Sequence, residues 1–233
     1  MPVNIIKGNI FTSRCKTVVN TVNTVGVMGA GIALECRLRY PRMYEKYVEL
    51  CKAGRFDIGT LWLFRSHDRW ILNFPTKRNW KYPSKIEYLH AGLEKFVTTY
   101  EKKGIDSIAF PLLGADRGGI DQQISLEVMQ SYLDKLPIDI EIYLYDRFAP
   151  DDLYETTKAW FKSKSTEELM QLTGMRRDYI EKVSLAMERT EIVQLNQLAS
   201  VKGIGVKTLE KLFRTFSPDD SLSTGHGQQS FAF

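Results

Sequence analysis

Residues 26–31 read GVMGAG and come three residues after the β-branched run KTVVNTV. Backbone that bare, between a strand and a helix, can turn its N–H groups toward an anion, helped by the helix N-terminus. A second stretch of the same kind is LLGADRGGID, residues 112–121. Glycines also simply make tight strand-to-helix turns, which is enough to explain either loop taken alone. Two such loops at one sheet edge would grip a diphosphate from both sides. The order in 26–31 is the reverse of GxGxxG and no Walker lysine follows, so neither the dinucleotide fingerprint nor the P-loop applies. Asn20 and Asn23 close the apolar run. Their amides offer both donor and acceptor, which suits a pair of ribose hydroxyls, but an asparagine in this place also caps a helix or closes a turn.

Elements must position these groups. VNIIKG reads as an opening strand, residues 30–53 carry helical spacing, and TLWLF and WILNFP read as paired strands around an SHDR turn. Residues 84–103 place Ile86, Leu89, Leu93, Phe96 and Val97 on one helical face, with Ser84 as cap and Glu87 three residues later. A strand SIAFPL, the second glycine loop, a helix through QISLEVMQSYLDKL and a strand IEIYLY complete the pattern. Such alternation predicts an α/β fold, a mixed sheet with helices on both faces. A helix over 151–163 turns Leu153, Thr157, Trp160 and Phe161 inward, and beyond it the strands stop. Residues 165–216 are helical in pattern. LTGMRRDYIEKV (172–183) lies in register with VKGIGVKTLEKL (201–212) at an offset of 29. The expected organisation is a first domain over 1–163, a small all-α domain over 164–217, and a flexible tail over 218–233.

Composition agrees with an ordinary globular chain: 233 residues, 43% hydrophobic and 26% charged, enough for one substantial core and a small second unit. No apolar run is long enough to cross a bilayer, and the opening MPVNIIKGNI lacks the pattern of a secretory signal. Cys15, Cys36 and Cys51 form no CxxC pair and there are three histidines. They read as reduced thiols of a cytoplasmic protein, with neither a metal site nor a cofactor signature. Residues 1–150 hold 21 Lys+Arg against 16 Asp+Glu, and the remainder 11 against 12. A mildly basic first part suits an anionic ligand, and a solvated surface gives the same balance.

GNIF (8–11), VVNTVNTVGVMGAGIAL (18–34), NFPTKRNW (73–80) and PLLGADRGGID (111–121), in that order over about the first 150 residues, resemble a macrodomain. The similarity is to the DarG-type DNA ADP-ribosyl glycohydrolase branch and the related terminal ADP-ribose glycohydrolase. The resemblance implies a three-layer α/β/α fold that binds ADP-ribose with its diphosphate between the two glycine loops. On that basis Gly8, Asn9, Ile10, Asn20, Gly26, Val27, Met28, Gly29, Gly31, Thr76, Gly114, Ala115, Asp116, Arg117, Gly118, Gly119 and Phe148 are expected at the ligand. It further implies that Asn23 holds the distal ribose, that Asn20 shapes the loop, and that Lys77 is the catalytic nucleophile. A lysine attacking an anomeric carbon must be a neutral amine, so burial or a nearby cation has to lower its pKa. Arg78 and Lys81 are close enough in sequence to contribute; without the FPTK match, a lysine in the basic TKRNWK stretch would read as solvated. The chain departs from the family where Gly114-Ala115-Asp116 replaces a G-C-G pattern, which leaves Asp116 as an acidic assistant or a turn residue. It departs again at Asn9, where an aspartate usually accepts from the adenine amino group. Phe148 is either an adenine-stacking ring or a core aromatic.

SVKGIGVKTLEKLF resembles a helix-hairpin-helix element. Gly203 and Gly205 would present N–H groups to a phosphate, with Lys202, Lys207, Lys211 and Arg214 adding non-specific attraction to DNA. The alternative is a helical packing module with a glycine turn. Arg176 replaces the second glycine in the earlier repeat. The final residues Gln228 to Phe233, QQSFAF, resemble peptides bound by bacterial sliding clamps, or are an unused tail. The reading of the whole is a lysine-dependent hydrolase removing ADP-ribose from DNA bases, with the helical unit holding the nucleic acid. The alternatives are action on protein-linked ADP-ribose or ADP-ribose 1''-phosphate, and a non-catalytic ADP-ribose reader.

Overall fold

The computed structural model describes residues 3–216, which form two compact units meeting in sequence at Tyr145 and Asp146. The first unit contains β1 (Asn4–Gly8), a 3-10 turn (Ile10–Thr12), β2 (Thr17–Asn23), α1 (Gly31–Arg39), α2 (Pro41–Lys52), β3 (Trp62–Arg65), β4 (Trp70–Lys77), α3 (Ile86–Thr99), β5 (Ser107–Pro111), α4 (Gln122–Leu133) and β6 (Asp139–Tyr145). One six-stranded sheet runs in the order β1-β6-β5-β2-β4-β3. The β3–β4 pair is antiparallel and every other pair is parallel.

Alternation along the strands sorts the core onto two faces. Val18, Val22, Trp62, Phe64 and Ile71 pack with Ala33, Cys36, Met43, Tyr47 and Leu50 of α1 and α2. Val19, Leu72, Phe74, Ile108 and Ile142 pack with Leu89, Leu93 and Phe96 of α3 and Met129 and Leu133 of α4. The expected three layers are therefore present. The helical pattern over 30–53 divides into two helices because Pro41 has no N–H and keeps Tyr40 out of the helical region, at φ −129 and ψ 70. Ser84 is not the cap of α3, which starts at Ile86 behind Lys85 with no side-chain cap bond. The Ser84 N–H instead donates to the Gly118 carbonyl at 2.8 Å.

The second unit contains α5 (Tyr154–Lys162), α6 (Thr166–Thr173), α7 (Arg177–Met187), a 3-10 turn (Leu195–Ser200) and α8 (Val206–Phe216). The division thus falls earlier than the expected boundary after residue 163, because α5 is tied into the helices. The Asp151 carboxylate accepts from the Leu153, Tyr154 and Leu195 amides at 3.0, 2.6 and 2.6 Å, and the Tyr154 hydroxyl donates to the Met187 carbonyl at 3.1 Å. Tyr154, Thr157 and Phe161 are its buried residues; Leu153 and Trp160 are only half-buried, and the Trp160 ring meets Phe216 edge-on at 5.0 Å. The repeat is conformational as well as sequential. Gly174 and Gly203, 29 positions apart, both take the left-handed conformation, at φ 63 and 89. Each glycine lies beside a lysine of the other repeat. Lys211 donates to the Gly174 carbonyl, and the Lys182 side chain lies 3.7 Å from the place of a Gly203 Cβ. The tail over 218–233, including Gln228 to Phe233, lies outside the described residues.

Candidate functional site

Five strands run parallel, so the C-terminal ends of β1, β6, β5, β2 and β4 emerge at one edge, where open α/β sheets bind ligands. The two glycine loops follow β2 and β5, which are neighbours, and Lys77 ends β4 on the other side of β2. A register shift between Val22 and Asn23 brings Asn23 opposite Lys77 rather than Thr76. Bulges commonly re-aim side chains in this way beside functional sites.

Asn23 is largely consumed in shaping the first loop. Its Oδ1 accepts from the Val25 and Val27 amides at 3.1 and 3.2 Å, and its Nδ2 donates to the Val27 carbonyl at 2.5 Å. The Tyr47 hydroxyl lies 2.7 Å from the Asn23 carbonyl and 3.1 Å from Oδ1. Burial pushes that hydroxyl well above its ordinary pKa, so it stays a donor. The Asn23 side chain therefore shapes the loop, with one of its two Nδ2 hydrogens used by the Val27 carbonyl. Asn20 is fully buried, its Nδ2 bonded to Asn73 Oδ1 at 2.9 Å and 3.9 Å from Met28 Sδ. It lies beneath the loop, and its Oδ1 is buried with no hydrogen-bond partner among the described residues. The Met28 side chain is also fully buried, so only its backbone is available there. Gly26 and Gly31 have positive φ, 80 and 58, while Gly29 does not. Among the described residues, the amides from Met28 to Ala33 donate to no protein acceptor, the last three being the open N-terminal turn of α1.

The second loop is pinned at several points. Ser125 Oγ donates to the Leu113 carbonyl at 2.6 Å, the Gly119 amide to Ala115 and the Ile120 amide to Gly114, each at 3.0 Å. Gly114 and Gly119 have φ of 68 and 78. Gly118 is required for another reason, since a Cβ there would stand 2.0 Å from the Gly114 carbonyl oxygen. The amides from Ala115 to Gly118 make no hydrogen bond among the described residues. Ala115 is buried, while Asp116 and Arg117 are exposed. Asp116 lies within the turn closed by the Gly119 amide on the Ala115 carbonyl, and its side chain makes no hydrogen bond or ion pair among the described residues.

Lys77 links the two halves of the site. Its Nζ donates to the Arg117 carbonyl at 2.5 Å, 40 residues away. Partial burial lowers its pKa, and the Arg117 guanidinium lowers it further. The cation that matters is therefore Arg117 of the second loop. Arg78, proposed from sequence, instead pairs with Asp57 at 3.0 Å, and Lys81 lies over Trp80. Thr24 receives support from the same segment, its N–H and Oγ1 both bonding the Arg78 carbonyl.

At the β1 end, Gly8, Asn9 and Ile10 are buried, and Asn9 Oδ1 caps the 3-10 turn by accepting from the Phe11 amide at 2.9 Å. An adenine amino group would have to share that oxygen. Thr76 is buried and Val27 exposed. Phe148 belongs to the second unit, with its ring exposed and Arg147 5.2 Å from the centroid. It is not a core aromatic. In that unit Lys202, Lys207 and Arg214 are exposed, and Gly205 faces open space. Lys211 is also exposed, and it donates one hydrogen bond to the Gly174 carbonyl while keeping its charge and its other two N–H donors.

Sequence reasoning missed Tyr47, Asn73 and the true role of Ser84. An asparagine in the middle of the apolar strand WILNFP was the available signal, because a buried amide needs a partner. Tyr47 gives no such signal, as it lies on an ordinary amphipathic face.

The sheet and the helices packed on its two faces define a three-layer α/β/α domain. The chain belongs to the macrodomain family: the Macro domain model matches residues 19–129, and the macrodomain of Thermus aquaticus DarG is 35% identical, with 97% of that structure covered by 61% of this chain at a TM-score of 0.58. A curated Thermus aquaticus protein, "DNA ADP-ribosyl glycohydrolase", is 37% identical over 145 residues, which are 60% of this chain and 40% of that one. The structure of Thermosipho africanus DarTG in complex with ADP-ribose is 36% identical over 62% of this chain and 42% of its own, with a TM-score of 0.59. The chain thus spans about 40% of the length of the curated relative.

Proposed function

We propose that this protein is an ADP-ribosyl glycohydrolase that releases ADP-ribose from DNA bases, with Lys77 as nucleophile. The observation that carries the reading is the Lys77 amine, held between two loops with unpaired amides and depressed in pKa by burial and by Arg117. The amides of Met28 to Ala33 and Ala115 to Gly118 would take the diphosphate. In this reading the distal ribose would lie over the end of β4, at Lys77. The neutral Lys77 amine then attacks C1'' and the bond to the base breaks, the base leaving with a proton. Water hydrolyses the lysine–ribose adduct, releasing ADP-ribose and restoring the amine. Relatives named as DNA ADP-ribosyl glycohydrolases support the choice of DNA-linked substrate.

The second unit is proposed to hold the nucleic acid as a helix-hairpin-helix pair. Its support is the left-handed Gly203, the open backbone at Gly205 and the exposed Lys202, Lys207 and Arg214.

The test uses ADP-ribosylated single-stranded DNA and, separately, glutamate-linked ADP-ribosyl protein, each with wild type and Lys77→Ala. Release from DNA that disappears in Lys77→Ala is the expected result. Release from protein alone would move the substrate to acidic side chains. Retention of ADP-ribose binding with no release by wild type would make the protein a reader.

A further inference from the structure

Resting on that reading, we propose that the loop 78–85, just beyond Lys77, is a stacking platform for the single-stranded nucleic acid that flanks the modified nucleotide. The loop is anchored at both ends. At the start, the Arg78 carbonyl accepts from Thr24 N–H and Oγ1, and its guanidinium grips Asp57 through both carboxylate oxygens at 3.0 Å. At the finish, the Ser84 N–H donates to the Gly118 carbonyl at 2.8 Å. Between them the Tyr82 amide bonds the Asn79 carbonyl at 3.2 Å and Asn79 Oδ1 takes the Lys81 amide at 3.0 Å. Internal bonding of this kind fixes the backbone.

The fixed loop nevertheless leaves Trp80 53% and Tyr82 67% exposed. Neither ring joins either hydrophobic cluster of this unit. Large aromatic rings held in water on a rigid loop, beside a reactive amine, are poorly explained by folding. Charge selects the occupant. Residues 75–86 contain Lys77, Arg78, Lys81 and Lys85 and no acid. Lys81 Nζ lies 5.4 Å from the Trp80 ring centroid, and neither Lys81 nor Lys85 forms an ion pair among the described residues. Aromatic rings interleaved with unpaired cations match the alternation of bases and phosphates along a single strand. The placement is also apt for the reaction. Ser84 ties the platform to the loop that meets Lys77, so a strand stacked there would present its modified base at the amine.

The experiment compares two substrates with the same ADP-ribosyl–base linkage, a mononucleotide and a single-stranded oligonucleotide. Trp80→Ala and Tyr82→Ala in the full chain are each expected to raise KM for the oligonucleotide about tenfold more than for the mononucleotide, with Trp80→Phe restoring most of the difference. Equal losses on both substrates, or none on either, would overturn the platform while leaving the hydrolase reading intact. Binding of a short unmodified oligothymidylate, followed by anisotropy, decides the platform independently of turnover. Weakening in Trp80→Ala supports it and unchanged affinity refutes it. Failure of wild type to release ADP-ribose from either substrate would count against the hydrolase reading alone.

Discussion

Gly118→Ala tests the claim that backbone packing in the second loop sets up the site. A Cβ at this position would stand 2.0 Å from the Gly114 carbonyl oxygen, 2.5 Å from its carbon and 2.6 Å from Ser84 Oγ. Ordinary contact begins near 3.4 Å, so the backbone at 114 and 118 must part by more than an ångström. Two of the three obstacles are main-chain atoms and cannot rotate aside. Opening the loop breaks the 2.8 Å bond from Ser84 to Gly118 and carries away the neighbouring Arg117 carbonyl that receives Lys77. Overpacking of this kind costs about 1–3 kcal/mol of stability. The displacement of the amine and the diphosphate loop is expected to cost about 100-fold in kcat/KM. Thermal unfolding and calorimetric titration of ADP-ribose, followed by single-turnover release, separate the two effects. Gly205→Ala is the control for stability and ADP-ribose affinity, because a Cβ there meets nothing within 4 Å and its φ is not positive. Wild-type affinity and turnover in Gly118→Ala would refute the argument.

Three further outcomes follow from the contacts described. Arg117→Gln removes a positive charge that disfavours the Lys77 ammonium, so the Lys77 pKa rises and less neutral amine is present at any given pH. The alkaline-rising limb of the rate profile should move to higher pH, measurable by single-turnover release across pH. Tyr47→Phe leaves the Asn23 carbonyl without its 2.7 Å donor and should weaken ADP-ribose binding and lower stability by about 1 kcal/mol, read by calorimetry and denaturant unfolding. Asp151→Ala deprives the Leu153, Tyr154 and Leu195 amides of their acceptor and should destabilise the helical unit by about 2–3 kcal/mol, seen as earlier loss of its amide protection in hydrogen exchange.

The sequence alone determined the local plan. Periodicity placed the strands and most helices, and GVMGAG and LLGADRGGID marked both strand-to-helix loops, because apolar spacing and glycine conformation are local properties. It determined the basic region around Lys77 for the same reason. Only the tertiary structure decided what each polar group does. The carbonyl that meets Lys77 lies 40 residues away on another loop, and Asn20 finds its partner 53 residues away across the β2–β4 ladder. The β2 bulge sets Asn23 opposite Lys77 yet spends its amide on Val25 and Val27. Lys211 reaches the Gly174 carbonyl 37 residues away, in the other repeat. A side chain has a few hydrogen bonds to give, and which neighbour claims them depends on strand order and register, which no short window of sequence contains.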